Sequence, residues 1–274
     1  MRFPSFAAIA VVALSAACTK TETKAPAPPP APAGPDIQTR EVTYQAGSTT
    51  LKGFVAWDAA RTDRRPGVLV VHEWWGQNQH ARNQAKRLAE AGYVGFALDM
   101  YGDGKSTTHP DSAQAFMMAA VKDLPAMQAR FDAALAQLKM DPHVDSTKVA
   151  AIGYCFGGNV VLTEARAGAP LAAVVSFHGA LPTSPAVDSG KVKARVLVLA
   201  GGADPMVPPD LVAKFTDQMK KAGANFDVVS YPGVKHSFTN PDADKSGVPG
   251  LAYNADADRE SWAAAMKLFS EVFP

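Results

Sequence analysis

The sequence predicts one α/β domain: a mainly parallel central sheet with helices on both faces, opened by an antiparallel hairpin. Three observations carry this. Short continuous apolar runs recur, Gly67-Val68-Leu69-Val70-Val71 and, after Arg195, Val196-Leu197-Val198-Leu199 among them, and such runs suit strands covered on both faces. They alternate with helix-period segments, the pattern of strand–helix–strand crossovers and so of parallel strands. Finally, once a compositionally distinct N-terminal segment is set aside from the 274 residues, about one domain's worth of chain remains, enough for one large core.

The elements follow in order. Glu41–Gln45 alternates, Gly47-Ser48 turns, and Leu51–Ala56 alternates again, which predicts the hairpin. Gly67–Glu73 is a buried strand, Ala81–Ala91 a helix and Val94–Asp99 another buried strand. Ser112–Leu138 carries a long helical pattern, broken or kinked near Pro125. Val149–Ile152, Ala172–Phe177, Arg195–Leu199 and Phe226–Tyr231 are strands. Asn159–Ala165, Leu211–Ala222 and Ala255–Val272 are the helices around them.

Residues 1–18 have a basic start, an apolar stretch from Phe6 to Ala17 too short to span a bilayer as a stable helix, and the ending Leu14-Ser15-Ala16-Ala17-Cys18. This resembles a bacterial lipoprotein signal, in which the Cys is lipidated and becomes the new N-terminus; Ser15 stands where such signals usually have Leu. The other reading is a secretory signal cut after an Ala. Both imply export, to a periplasmic or an outer-membrane-anchored location. Residues 19–36 are a Pro/Ala-rich linker, an extended polyproline-like tether. At about 3.1 Å per residue its Ala25–Pro35 part reaches roughly 30 Å. The catalytic domain is expected over 37–274. The net charge of +1 gives no electrostatic argument for nucleic acid. The two cysteines, Cys18 and Cys155, have separate expected roles, so no disulfide is expected.

Gly153-Tyr154-Cys155-Phe156-Gly157-Gly158 lies between a strand and a helix. Gly-x-Cys-x-Gly at such a junction has the shape of a nucleophile elbow with Cys in place of Ser. The turn is sharp enough that the residues two before and two after the nucleophile must lack side chains. The other strand ends offer Glu73, Asp99, His178, Asp204 and His236, and sites in such sheets form beyond the carboxyl ends of the strands. A nucleophile needs a base, and the base an orienting carboxylate. Cys155, Asp204 and His236 occur in the chain order of α/β-hydrolase triads.

From about Val42 to Phe273 the chain resembles the dienelactone hydrolase family of α/β hydrolases. The resemblance rests on His72-Glu73-Trp74-Trp75-Gly76, Asp99-Met100-Tyr101-Gly102, the Cys155 elbow and the Asp204 and His236 loops. It implies the α/β-hydrolase fold, with Cys155 as nucleophile, His236 as base and Asp204 as its orienter. It implies that Glu73 contacts the resting thiol and helps to deprotonate it, and that backbone N–H groups of Phe156 and Trp74 form the oxyanion hole. Trp75, Tyr101, His178 and Phe238 are candidate pocket residues; His72, on the opposite side of its strand from Glu73, is structural. Two arginines that hold the substrate carboxylate in the family are absent, with Asp103 and Asn240 in their places. The reaction type therefore transfers and the anionic lactone does not. Arg82, Lys105, Lys235 and Lys245 are other sources of positive charge.

His72-Glu73 begins like a zinc-protease motif, but Gly76 occupies the second ligand position. Asp242–Gly247 begins like a calcium loop, but Tyr253 stands where the closing Glu belongs. No metal or organic cofactor is expected. The expectation is a monomeric hydrolase of small ester or lactone substrates working through a cysteinyl thioester, bound to a membrane only by a lipid on Cys18. The alternatives are an acyl transferase or C–C hydrolase on the same fold, and a non-catalytic cell-envelope binding module.

Overall fold

The computed structural model describes residues 34–274, together with Met1 and Ala10. The signal-like segment with Cys18, and the linker up to residue 33, lie outside the described residues. The strands are β1 (Ile37–Ala46), β2 (Thr49–Asp58), β3 (Arg65–Val71), β4 (Val94–Leu98), β5 (Val144–Tyr154), β6 (Ala173–Phe177), β7 (Arg195–Gly201) and β8 (Phe226–Tyr231). The α-helices are α1 (Gln79–Glu90), α2 (Pro110–Lys122), α3 (Leu124–Met140), α4 (Phe156–Ala167), α5 (Pro209–Lys221) and α6 (Ala255–Val272).

The strands form one sheet in the order β1-β2-β4-β3-β5-β6-β7-β8. β1 and β2 are antiparallel to each other, β2 is antiparallel to β4, and every later pairing is parallel. The expected hairpin and mainly parallel sheet are thus both present. Because side chains alternate across a strand, each apolar run feeds two cores. Leu69 and Val71 of β3 face the core built on α3, α4 and α5, with Phe131, Val161 and Phe215. Val68 and Val70 face the other, with Leu88 of α1 and Phe269 of α6. Burying each such side chain contributes about 1.5–3 kcal/mol.

The long helical pattern resolves into two helices meeting at Asp123. Asp123 ends α2, and its carboxylate then accepts from Ala126 N–H (3.0 Å) as the N-cap of α3. Pro125 sits in the first turn of α3, where its missing N–H costs no helical bond.

The loop after β4 is built on one carboxylate. Asp99 is fully buried. Its Oδ1 accepts from the N–H groups of Tyr101 (2.9 Å) and Gly102 (2.8 Å). Its Oδ2 accepts from Gly104 (2.8 Å) and from Lys52 of β2 (3.2 Å). Asp99 is therefore the anchor of the loop that delivers Tyr101. Asp99→Ala strands these donors and is expected to lower stability by about 3 kcal/mol or more. Urea unfolding checks this: the midpoint should drop clearly for Asp99→Ala and less for Asp99→Asn, which keeps one acceptor oxygen.

Candidate active site

β5 ends at Tyr154 and α4 starts at Phe156, so the chain turns from strand to helix at Cys155 alone. Cys155 takes φ 53° and ψ −113°, a left-handed conformation rare for a residue with a side chain. The neighbouring glycines are demanded by contact. A Cβ on Gly153 would lie 2.1 Å from Gly157 O, and one on Gly157 would lie 2.2 Å from Val71 O. The thiol is partly exposed at the start of α4, where the first backbone N–H groups have no intrahelical acceptor. Among the described residues, no loop or side-chain acceptor takes the N–H of Phe156 or of Trp74.

The β8 loop brings His236 to this turn, and the β7 loop brings Asp204 behind it. His236 Nδ1–H donates to Asp204 Oδ2 at 2.7 Å, with both side chains buried. Asp204 Oδ1 accepts from Met206 N–H (2.8 Å), which fixes the carboxylate. The bond to Asp204 leaves His236 Nε2 as the free ring nitrogen. It is buried and has no aligned hydrogen-bond partner, and Cys155 is the group that bears on it. Burial alone would lower the pKa of His236. The negative charge of Cys155 and the bond to Asp204 outweigh it and raise the pKa to about 10.

Glu73 lies elsewhere than expected. Its Oε1 accepts from Ser237 Oγ–H (2.8 Å) and its Oε2 from Asn240 Nδ2–H (2.6 Å). The expected contact with the resting thiol is absent among the described hydrogen bonds, and each oxygen takes one neutral donor instead. Ser237 and Asn240 belong to one turn, Asn240 N–H donating to Ser237 O (3.0 Å), so both side chains reach the same carboxylate. Sequence reasoning missed Ser237 and gave Asn240 only as a missing arginine. The available signal was the polar run Ser237, Thr239, Asn240 directly after His236.

His72 is structural: its Nε2 accepts from Met100 N–H (3.2 Å), so Nδ1 carries the proton and donates to Glu73 O. His178 is part of the frame of the elbow. Its Nδ1 accepts from Cys155 N–H (3.1 Å), and its Nε2–H donates to Thr239 Oγ1 (2.8 Å). The ring lies edge-on to His236 at 5.2 Å. Burial, and then the charge of His236, push its pKa well below the ordinary value, so it stays neutral.

The other candidates separate. Tyr101 O–H donates to Trp74 O (3.0 Å), and its ring stacks on Phe156 (5.5 Å). Tyr101 thus contacts both residues whose N–H groups are expected to form the oxyanion hole. Phe238 is fully buried against His178 and Tyr231 and is a core residue. Trp75 packs on Trp74 and lines a cavity of about 420 Å³ with Asn240 and Lys245. Of the alternative cations, Arg82 is paired with Glu41 and Lys105 lies 3.9 Å from Asp103. Lys245 is paired with Asp242 in the turn that carries the calcium-like residues.

These contacts fix the sign of a titration. Removing the charge of Cys155 or Asp204 removes a cause that raises the His236 pKa. In NMR titrations, Cys155→Ser and Asp204→Asn are each expected to move His236 down from about 10, and the double variant to move it below the ordinary 6.5, where burial alone acts. An unmoved titration in Cys155→Ser would show that the thiol does not bear on the ring.

Comparison with known proteins places this geometry in a family. Residues 51–273 match the model of the dienelactone hydrolase family. A solved dienelactone hydrolase-like promiscuous phosphotriesterase from metagenomic libraries is 40% identical, with TM-score 0.84 over 87% of this chain and 99% of that one. Protein usf of Aquifex pyrophilus is 28% identical over 84% of this chain and 97% of its own. A Yersinia pestis protein provisionally named a carboxymethylenebutenolidase is 27% identical over 86% of this chain and 89% of its own. With the sheet order, the elbow and a family match over most of its length, the chain belongs to the dienelactone hydrolase family.

Proposed function

We propose that the protein hydrolyses small, uncharged carboxylic esters or lactones through Cys155, His236 and Asp204. The observation that carries this is the orientation of His236: Asp204 takes Nδ1, which leaves Nε2 facing the thiol at the strained elbow. The Cys155 thiolate attacks the substrate carbonyl carbon. The N–H groups of Phe156 and Trp74 receive the developing oxyanion. His236 Nε2–H protonates the departing alkoxide as the thioester forms. His236, now neutral, takes a proton from water, the hydroxide attacks the thioester, and the acid leaves as thiolate and imidazolium are restored. Asp204 stabilises the imidazolium in both half-reactions.

Glu73 serves in this scheme by holding the turn that follows His236. The absence of both family arginines supports an uncharged substrate. The solved relative described as a promiscuous phosphotriesterase favours a second substrate class, a neutral phosphotriester attacked by the same thiolate.

Hydrolysis of p-nitrophenyl butyrate and of a small neutral lactone tests the reading. Turnover is expected in the wild type and to fall about 10³-fold or more in Cys155→Ala and His236→Gln. A neutral lactone should be turned over at least about tenfold better, in kcat/KM, than its carboxylate-bearing analogue. Turnover that survives in Cys155→Ala would overturn the assignment of the nucleophile.

The N-terminal residues support a further proposal, that the domain is exported and tethered by a lipid on Cys18. Cys18→Ala is expected to move the protein from the membrane to the soluble fraction, and retention of that variant would refute the tether.

A further inference from the structure

Four polar side chains fasten the turn that delivers His236, and one of them reaches the nucleophile. His236 bonds to Asp204 beyond β7. Ser237 and Asn240 both bond to Glu73 beyond β3. Thr239 shares neither partner. Its hydroxyl is buried and meets His178 Nε2, beyond β6, at 2.8 Å. His178 Nδ1 in turn accepts from Cys155 N–H at 3.1 Å. One imidazole therefore spans the gap between the elbow and the turn of the base.

The direction of these bonds follows from the backbone. A peptide N–H can only donate, so Nδ1 presents its lone pair and the proton of the neutral ring sits on Nε2. Among the described hydrogen bonds, Thr239 Oγ1 is the acceptor of that proton. The ring is fully buried, with Phe238 and His236 edge-on to it at 5.1 and 5.2 Å. Loss of the Thr239 hydroxyl therefore leaves a buried donor unpaired. Cys155 N–H, by contrast, has a second acceptor in Phe177 O at 3.1 Å. The elbow does not need the ring to satisfy its N–H. What the ring adds is a rigid link from that N–H to the turn holding His236.

We propose that Thr239 and His178 are a positioning pair, a spacer that sets the distance between His236 Nε2 and the Cys155 thiol; this rests on the reading of Cys155 as nucleophile and His236 as base. Thr239 lies three residues past His236, and His178 is held at the nucleophile's own peptide. A shift at either end of the ring moves base and thiol relative to each other. The bonds to Glu73 fix the same turn to the end of β3 and make no link to Cys155. Proton transfer between the two reacting groups is steeply sensitive to their separation, so the pair acts on rate rather than on substrate binding.

Three variants of the full chain test this. Thr239→Val keeps the shape of the side chain and removes the acceptor, whereas Thr239→Ser keeps the acceptor. His178→Asn keeps an acceptor for Cys155 N–H, suits the positive φ of 42° and drops the donor to Thr239. With p-nitrophenyl butyrate, Thr239→Val and His178→Asn are each expected to lower kcat about tenfold or more with KM changed less than about twofold, and Thr239→Ser to restore it. Both variants cut the same bond, so the double variant is expected to be no worse than either single one. An NMR titration of His236 reads the separation without substrate. Asp204, Cys155 and His178 face its ring, and Cys155 and Asp204 hold its pKa at about 10. In Thr239→Val it is expected to titrate lower, and in Thr239→Ser to titrate as in the wild type. Phe269→Leu, a core change in α6, is expected to lower stability and leave that titration unmoved. An unmoved titration in folded Thr239→Val, additive losses in the double variant, or a loss that Thr239→Ser fails to restore would each overturn the proposal. Absence of ester turnover in the wild type would count against the proposed hydrolysis, and the titration would still decide on the pair.

Discussion

Between Tyr154 and Phe156 the backbone passes from strand to helix through one residue in a left-handed conformation. A side-chain-bearing residue in such a region costs on the order of 1–3 kcal/mol and persists only where its surroundings over-determine it. The surroundings do so here. Cys155 N–H donates to both Phe177 O and His178 Nδ1, each at 3.1 Å. His178 itself stands at φ 42°, and Ser237, beside the other histidine, at φ 56°. Three strained residues at the ends of β5, β6 and β8 are thus interlocked. His178 holds the elbow and Thr239, and Ser237 holds Glu73 beyond β3. Gly153 and Gly157 permit the close approach on which all of this rests.

The same interlocking assigns charge. His178 and His236 are buried 5.2 Å apart, and their pKa values move in opposite directions. The difference lies in their partners. His178 faces a backbone N–H and a hydroxyl, neither of which stabilises a cation at its Nδ1, so desolvation prevails. His236 faces Asp204 and Cys155, which favour its charged form. Two imidazoles in one site thereby differ in charge, and of the two it is His236 whose setting suits the proton transfer proposed above.

The strands are legible in the sequence because burial on both faces leaves continuous apolar runs that only a covered sheet explains, as in Val68–Val71 and Val196–Leu199. The grouping of Asp204 with His236 is legible for a related reason: each follows a strand, and parallel strands end on one side of the sheet. What is not legible depends on long-range side-chain geometry. Glu73 meets Ser237 and Asn240 more than 160 positions away, and nothing local to Glu73 announces them. Phe238 looks like a pocket residue because it neighbours His236, yet the positive φ of Ser237 redirects the chain and sends the ring into the core. The helix break expected near Pro125 is present, and its position at Asp123 follows because the acid caps the new helix and proline fits just inside it.

Asn240 connects the frame to the choice of substrate. The resemblance expects at this position an arginine that holds a substrate carboxylate. Here the amide of Asn240 donates to one oxygen of Glu73 and the hydroxyl of Ser237 to the other, so the buried carboxyl group is met by dipoles and by no cation. Asp204 adds a second negative charge that His236 alone balances. The other replaced arginine has become Asp103, exposed and 3.9 Å from Lys105. Glu73, Asp204 and Asp103 would each work against an anionic substrate, which is the electrostatic ground for proposing an uncharged carbonyl compound.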